Sequence, residues 1–79
     1  MISGLVHAAP DASRCYSIQD ADRRHICLAQ ARGEPSRCYG VRNEDQRHSC
    51  LAVTRHERSR CYSIREGDAR AMCLALVSH

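Results

Sequence analysis

Seventy-nine residues allow one domain at most, and a formal charge of +3 excludes a strongly basic, nucleic-acid-coating chain. The twelve cationic side chains are all Arg, and nine acidic residues are interleaved with them, a mixture that favours local ion pairs over a single basic face. There is no Phe or Trp, so any core is built from Leu, Ile, Val, Ala and Cys, which contribute less burial energy than aromatic rings.

Residues 1–12 form an N-terminal extension. Met1-Ile2-Ser3-Gly4-Leu5-Val6 has neither a basic n-region nor a long apolar run, so it is not a complete secretory signal. Leu5, Val6, Ala8 and Ala9 are placed to cap the adjoining helical unit, with Pro10 ending any short helical turn. No stretch of the chain approaches the roughly 18 apolar residues of a membrane span.

From Ser13 onward one phrase is written three times. Ser13-Arg14-Cys15-Tyr16-Ser17-Ile18 returns as Ser36-Arg37-Cys38-Tyr39-Gly40-Val41 and as Ser59-Arg60-Cys61-Tyr62-Ser63-Ile64. Each is followed at a fixed distance by Asp-x-Arg (Asp22/Arg24, Asp45/Arg47, Asp68/Arg70) and by Cys-Leu-Ala (Cys27-Leu28-Ala29, Cys50-Leu51-Ala52, Cys73-Leu74-Ala75). The repeat is about 23 residues long and divides the chain into units 13–35, 36–58 and 59–79.

Each unit reads as a helical hairpin. Ser13, Ser36 and Ser59 are expected N-caps of a short first helix carrying Cys and Tyr. Gln19-Asp20-Ala21, Arg42-Asn43-Glu44 and Arg65-Glu66-Gly67 are the turns. Asp20 and Asn43 are expected to cap a second helix, with Asp22, Asp45 and Asp68 in its first turn, where negative charge suits the helix dipole. In the first unit this helix is expected over Ala21–Arg32, closed by Gly33. Arg24, Cys27, Leu28 and Ala31 then share one face, as do Arg47, Cys50, Leu51 and Thr54, and Arg70, Cys73, Leu74 and Val77. No alternating strand pattern appears. The expected fold is all-α: three tandem disulfide-stapled helical hairpins stacked into one small domain.

Six cysteines in so short a chain read as a disulfide framework and imply an oxidising compartment. Pairing within units gives Cys15–Cys27, Cys38–Cys50 and Cys61–Cys73 and leaves nothing over. The rival register, Cys27–Cys38 and Cys50–Cys61, strands Cys15 and Cys73. The unit boundaries favour the first. This arrangement resembles in architecture the twin-cysteine hairpins of the coiled-coil-helix (CHCH) family. That family bridges each hairpin twice at closer cysteine spacing, and the resemblance implies no function here.

Several chemistries compete for these residues. His25-x-Cys27 and His48-x-Cys50 resemble half of a zinc set, but residues two apart on a helix do not share a face, and the third unit has Ala71 in place of the histidine. Cys, His and Asp each sit in a repeated slot, which reads as scaffold rather than as a nucleophile with its base. No cofactor or metal is expected, and no turnover. Arg14, Arg37 and Arg60 are expected to meet Asp22, Asp45 and Asp68 across the hairpin, and the tyrosines to lie in the core with the hydroxyl at the surface.

Positions that differ between copies are the better recognition candidates, because repeats hold their scaffold constant and vary their contact surface. These include Gln30, Glu44 and His56 and, above all, Arg23, His25, Arg42, His48, Arg55 and Arg65, all expected on exposed faces. The leading expectation is a small non-enzymatic periplasmic or secreted protein that binds another protein as an inhibitor, a toxin-immunity protein or a secretion adaptor. Its Lys-free, Arg- and Ala-rich composition suggests a bacterial source. The competing expectation is a cytosolic zinc- or nucleic-acid-binding regulator with reduced cysteines.

Overall fold

The computed structural model describes residues 11–77. The cap expected of Leu5, Val6, Ala8 and Ala9 therefore lies outside the described residues. Within them the chain is all-helical, alternating three 3-10 helices with three α-helices: η1 (Ala12–Ser17), α1 (Ala21–Arg32), η2 (Pro35–Gly40), α2 (Glu44–Arg55), η3 (Arg58–Ser63) and α3 (Gly67–Leu76). Each η–α pair is one hairpin of the repeat.

The serines do not cap the short helices. Asp11 precedes η1, and its carboxylate accepts from the Ser13 backbone N–H at 3.1 Å and from the Ser13 hydroxyl at 2.6 Å. Glu34 and Glu57 hold the same position before η2 and η3, but their side chains cap nothing. Instead their carboxylates accept from Nε of Arg37 and Arg60, at 2.6 Å each. These i,i+3 pairs replace the expected pairing of Arg37 and Arg60 with Asp45 and Asp68. Arg14 likewise faces Asp11, at 3.9 Å, rather than Asp22.

The long helices start where expected. Asp20 accepts from Arg23 N–H and Asn43 from Gln46 N–H, each at 2.9 Å. In the third unit Glu66 accepts from both Asp68 and Ala69 N–H. Gly33 ends α1 in the left-handed region at φ 63°, and His56 ends α2 in the same conformation at φ 57°. A non-glycine residue is uncommon there, although histidine is among those enriched in it.

All six cysteines are bridged within their units: Cys15–Cys27, Cys38–Cys50 and Cys61–Cys73, with Cα atoms 5.5–5.6 Å apart. A second clamp repeats beside each bridge. Nη1 of Arg24, Arg47 and Arg70 donates to the carbonyls of Ile18, Val41 and Ile64, at 2.9 Å each. The Arg of Asp-x-Arg thus closes the hairpin, satisfying a carbonyl at the end of the short helix.

The core lies largely between units. One cluster joins Ala29 of the first unit to Cys38, Cys50 and Leu51 of the second. Another joins Ala52 of the second to Cys61, Ile64, Cys73 and Val77 of the third. Ala29 and Ala52 are 0 % exposed because the next unit seals them. Helix α1 packs on η2 and α2, and α2 on η3 and α3, whereas α1 does not reach α3. Each unit meets only its neighbours, as in a solenoid.

Candidate functional site

Two kinds of functional position emerge: residues that join the units and residues that stand clear of the fold. Several of the joining residues are ones that the sequence pattern alone leaves free.

Asp22 reaches forward into the next unit. Its carboxylate accepts from the backbone N–H of Arg42 at 2.7 Å and of Asn43 at 3.0 Å. Asp45 does the same to Arg65 and Glu66, at 3.0 and 3.1 Å. Asp22 and Asp45 are therefore latches between units, not partners of the Arg beside the first cysteine. These backbone N–H groups hold both carboxyls below the usual aspartate range, aided by the positive charge of Arg42 and Arg65 respectively. Asp11, bonded to the Ser13 hydroxyl and N–H, and Glu34, bonded to Arg37, shift the same way.

A carboxyl whose pKa falls on folding adds stability above its unfolded value, about 4, and that stability is lost as pH drops through the folded value. The melting temperature is thus expected to be flat above about pH 5 and to fall below about pH 4. The double variant Asp22→Asn/Asp45→Asn should shallow that fall. An identical acid slope in parent and variant would remove the latch.

His25 and His48 are half-buried, not solvent-facing as expected. The His25 ring lies against Gly40 so closely that a Cβ there would sit 2.9–3.0 Å from three ring atoms. Ser17 and Ser63 stand at this place in the other units. His48 has a buried Nδ1 without a hydrogen-bond partner among the described residues. The last unit has Ala71 in this slot and no following unit in the described chain. His25 is thus a wedge between units, and no group of three or more His, Cys, Asp or Glu is arranged to hold a metal among the described residues.

The tyrosines overturn the core expectation. Tyr16, Tyr39 and Tyr62 are 57, 56 and 62 % exposed. On a 3-10 helix of three residues per turn, neighbouring side chains point about 120° apart, so burying Cys15, Cys38 and Cys61 turns the following Tyr outward. Arginines attend two of them. Arg32 donates to the Tyr16 hydroxyl at 3.2 Å, and the Arg55 guanidinium lies 5.9 Å from the Tyr39 ring centroid, within cation–π range. Exposed tyrosines in a repeated slot, each of the first two with an arginine, form a row that the fold does not consume.

The six candidates from the sequence thus fall in different places. Arg55 belongs to the tyrosine row. Arg23 is exposed on α1, where with Asp11, Ile26 and Gln30 it lines an open groove. Arg42 and Arg65 keep exposed side chains in equivalent turns, although their backbones are latched by Asp22 and Asp45. His25 and His48 pack inside. Reasoning from sequence misses Tyr16, Tyr39, Tyr62 and Arg32 as surface candidates. Their signal is present in the short first helix, whose single buried position is taken by cysteine.

The fold and its bridges define a disulfide-stapled, all-helical repeat protein. No protein-family model, curated protein or solved structure matches the chain.

Proposed function

We propose that the protein is a non-enzymatic binding module of an oxidising compartment, the bacterial periplasm or cell exterior, and that it holds a protein partner against its tyrosine–arginine row. The observation that carries this reading is the exposure of an aromatic ring in the same slot of every unit. Tyr and Arg are over-represented among residues that dominate protein interfaces, because they add large contact area and directional hydrogen bonds at low entropic cost. A nucleic-acid partner fits less well, since Arg37 and Arg60 are already neutralised by Glu34 and Glu57 at 2.6 Å. An inhibitor, an immunity protein or a secretion adaptor would each use such a face.

The test is the variant Tyr16→Ala/Tyr39→Ala/Tyr62→Ala. Its stability should stay within about 0.5 kcal/mol of the parent per site, as for surface positions in general. Its affinity for the partner recovered by the parent should drop by about 2 kcal/mol or more per central ring. Arg42→Ala and Arg65→Ala, at the rim, should cost less. A triple variant that binds the same partner as tightly as the parent ends the proposal. Six titratable thiols in protein taken from its source cells would instead support the reduced, cytosolic regulator.

A further inference from the structure

The repeat shows what its last face is shaped to receive. In the first unit, the side of α1 turned toward the second carries Asp22, His25, Ile26 and Ala29. In the second unit, Asp45, His48, Ser49 and Ala52 occupy the same register. Each set is covered: the Asp is half-buried and latched to two backbone N–H groups, the His is half-buried, and the Ala is fully buried. The third unit presents the same side of α3 uncovered. Asp68, Ala71 and Ala75 are exposed, whereas Met72 and Leu76 line an open groove beside Asp45, Gln46 and Ser49 of α2. The Asp68 carboxylate accepts no hydrogen bond among the described residues.

Among the described residues the first unit shows the complementary gap at its rear. Ile18 and Cys27 are half-buried, while their counterparts Val41, Ile64, Cys50 and Cys73 are at most 1 % exposed because a preceding unit covers them. The N–H groups of Gln19 and Asp20 correspond to those of Arg42 and Asn43, which Asp22 latches. The front of one molecule and the rear of another therefore carry the two halves of an interface that the chain already makes twice within itself.

We infer that the occupant of the α3 face is a second copy of this chain, docked head to tail. Asp68 then accepts from the N–H groups of Gln19 and Asp20 of the second copy, and Ala75 covers its Ile18, as Ala52 covers Ile64. Such a contact is heterologous and does not close on itself, so it builds open linear chains of molecules in a continuous solenoid. The internal interfaces are held partly by the covalent link, which a free contact lacks, so the free contact is weak.

Sedimentation velocity over a concentration series up to about 1 mM tests this. The parent should grow from monomer through dimer to longer species without stopping. Asp68→Ala/Ala75→Arg changes only exposed side chains, so its circular dichroism should match the parent while it stays monomeric. Its rear face is intact, so adding it to the parent should cap the growing chains and shorten them. Adding Gln19→Pro to that variant removes one rear N–H and should make capping about tenfold weaker, as expected for losing a hydrogen bond to a charged group. The substitution is tolerated locally because Ile18 is extended, at φ −77° and ψ 122°. Three outcomes overturn the inference: a parent monomeric throughout, a parent that stops at a dimer, or a front variant that associates like the parent.

Discussion

Full reduction of the three disulfides is expected to unfold the protein near room temperature. Each bridge joins residues 12 apart. In the chain-entropy model a loop of that size is worth about 3 kcal/mol, so the three together contribute about 9 kcal/mol. Whole domains are stable by only about 5–15 kcal/mol. Little else can compensate, because the buried set holds no Phe or Trp and its largest members are Leu28, Leu51 and Ile64. Thermal melts by far-UV circular dichroism, with and without reductant, measure the effect. A melting curve unchanged by complete reduction would show that the bridges are dispensable and would take away the reason for placing the protein in an oxidising compartment.

Leu51→Ala should be the most damaging single substitution outside the cysteines. Leu51 is 2 % exposed and sits in the cluster that joins Ala29 to Cys38 and Cys50. Truncating a leucine in such a place costs about 2–5 kcal/mol, the spread reflecting how far the cavity collapses. Leu74 occupies the same slot in the last unit but is only half-buried. Leu74→Ala should therefore cost clearly less under the same denaturant titration. Equal losses at the two positions would mean that the core belongs to each hairpin rather than to the contact between hairpins.

What is legible in the sequence is the interior of each unit. The span of α1, the caps Asp20 and Asn43, the left-handed Gly33 and the disulfide register all follow from spacing within 23 residues, and all appear in the structure. What escapes is anything acting between units or set by the 3-10 geometry. Asp22 reads as a helix-dipole charge because its true partners lie 20 and 21 residues ahead. His25 and His48 look free because periodicity within a helix says nothing about the unit that docks on it. The tyrosines look internal because they are the only aromatic rings in a chain short of large core residues, whereas each follows a buried cysteine and turns outward. The expected serine caps fail for a nearer reason. The acidic residue just ahead of each short helix takes the boundary position, bonding the serine in one case and an arginine in the others.

The near-equal spacing of the cysteines has a kinetic consequence. Cys27 and Cys38 are 11 residues apart, as are Cys50 and Cys61, against 12 for each native pair. Loop-closure entropy separates closures of these two lengths by only about 0.1 kcal/mol. In a reduced, unstructured chain the wrong neighbours thus collide as often as the right ones. Choice of partner during oxidation falls to whatever holds η and α together before sulfur reacts, and the arginine-to-carbonyl clamps at Ile18, Val41 and Ile64 are the contacts that do so in every unit. The arginine of Asp-x-Arg would then act as a folding instruction, biasing which thiols meet before any bridge exists to lock them.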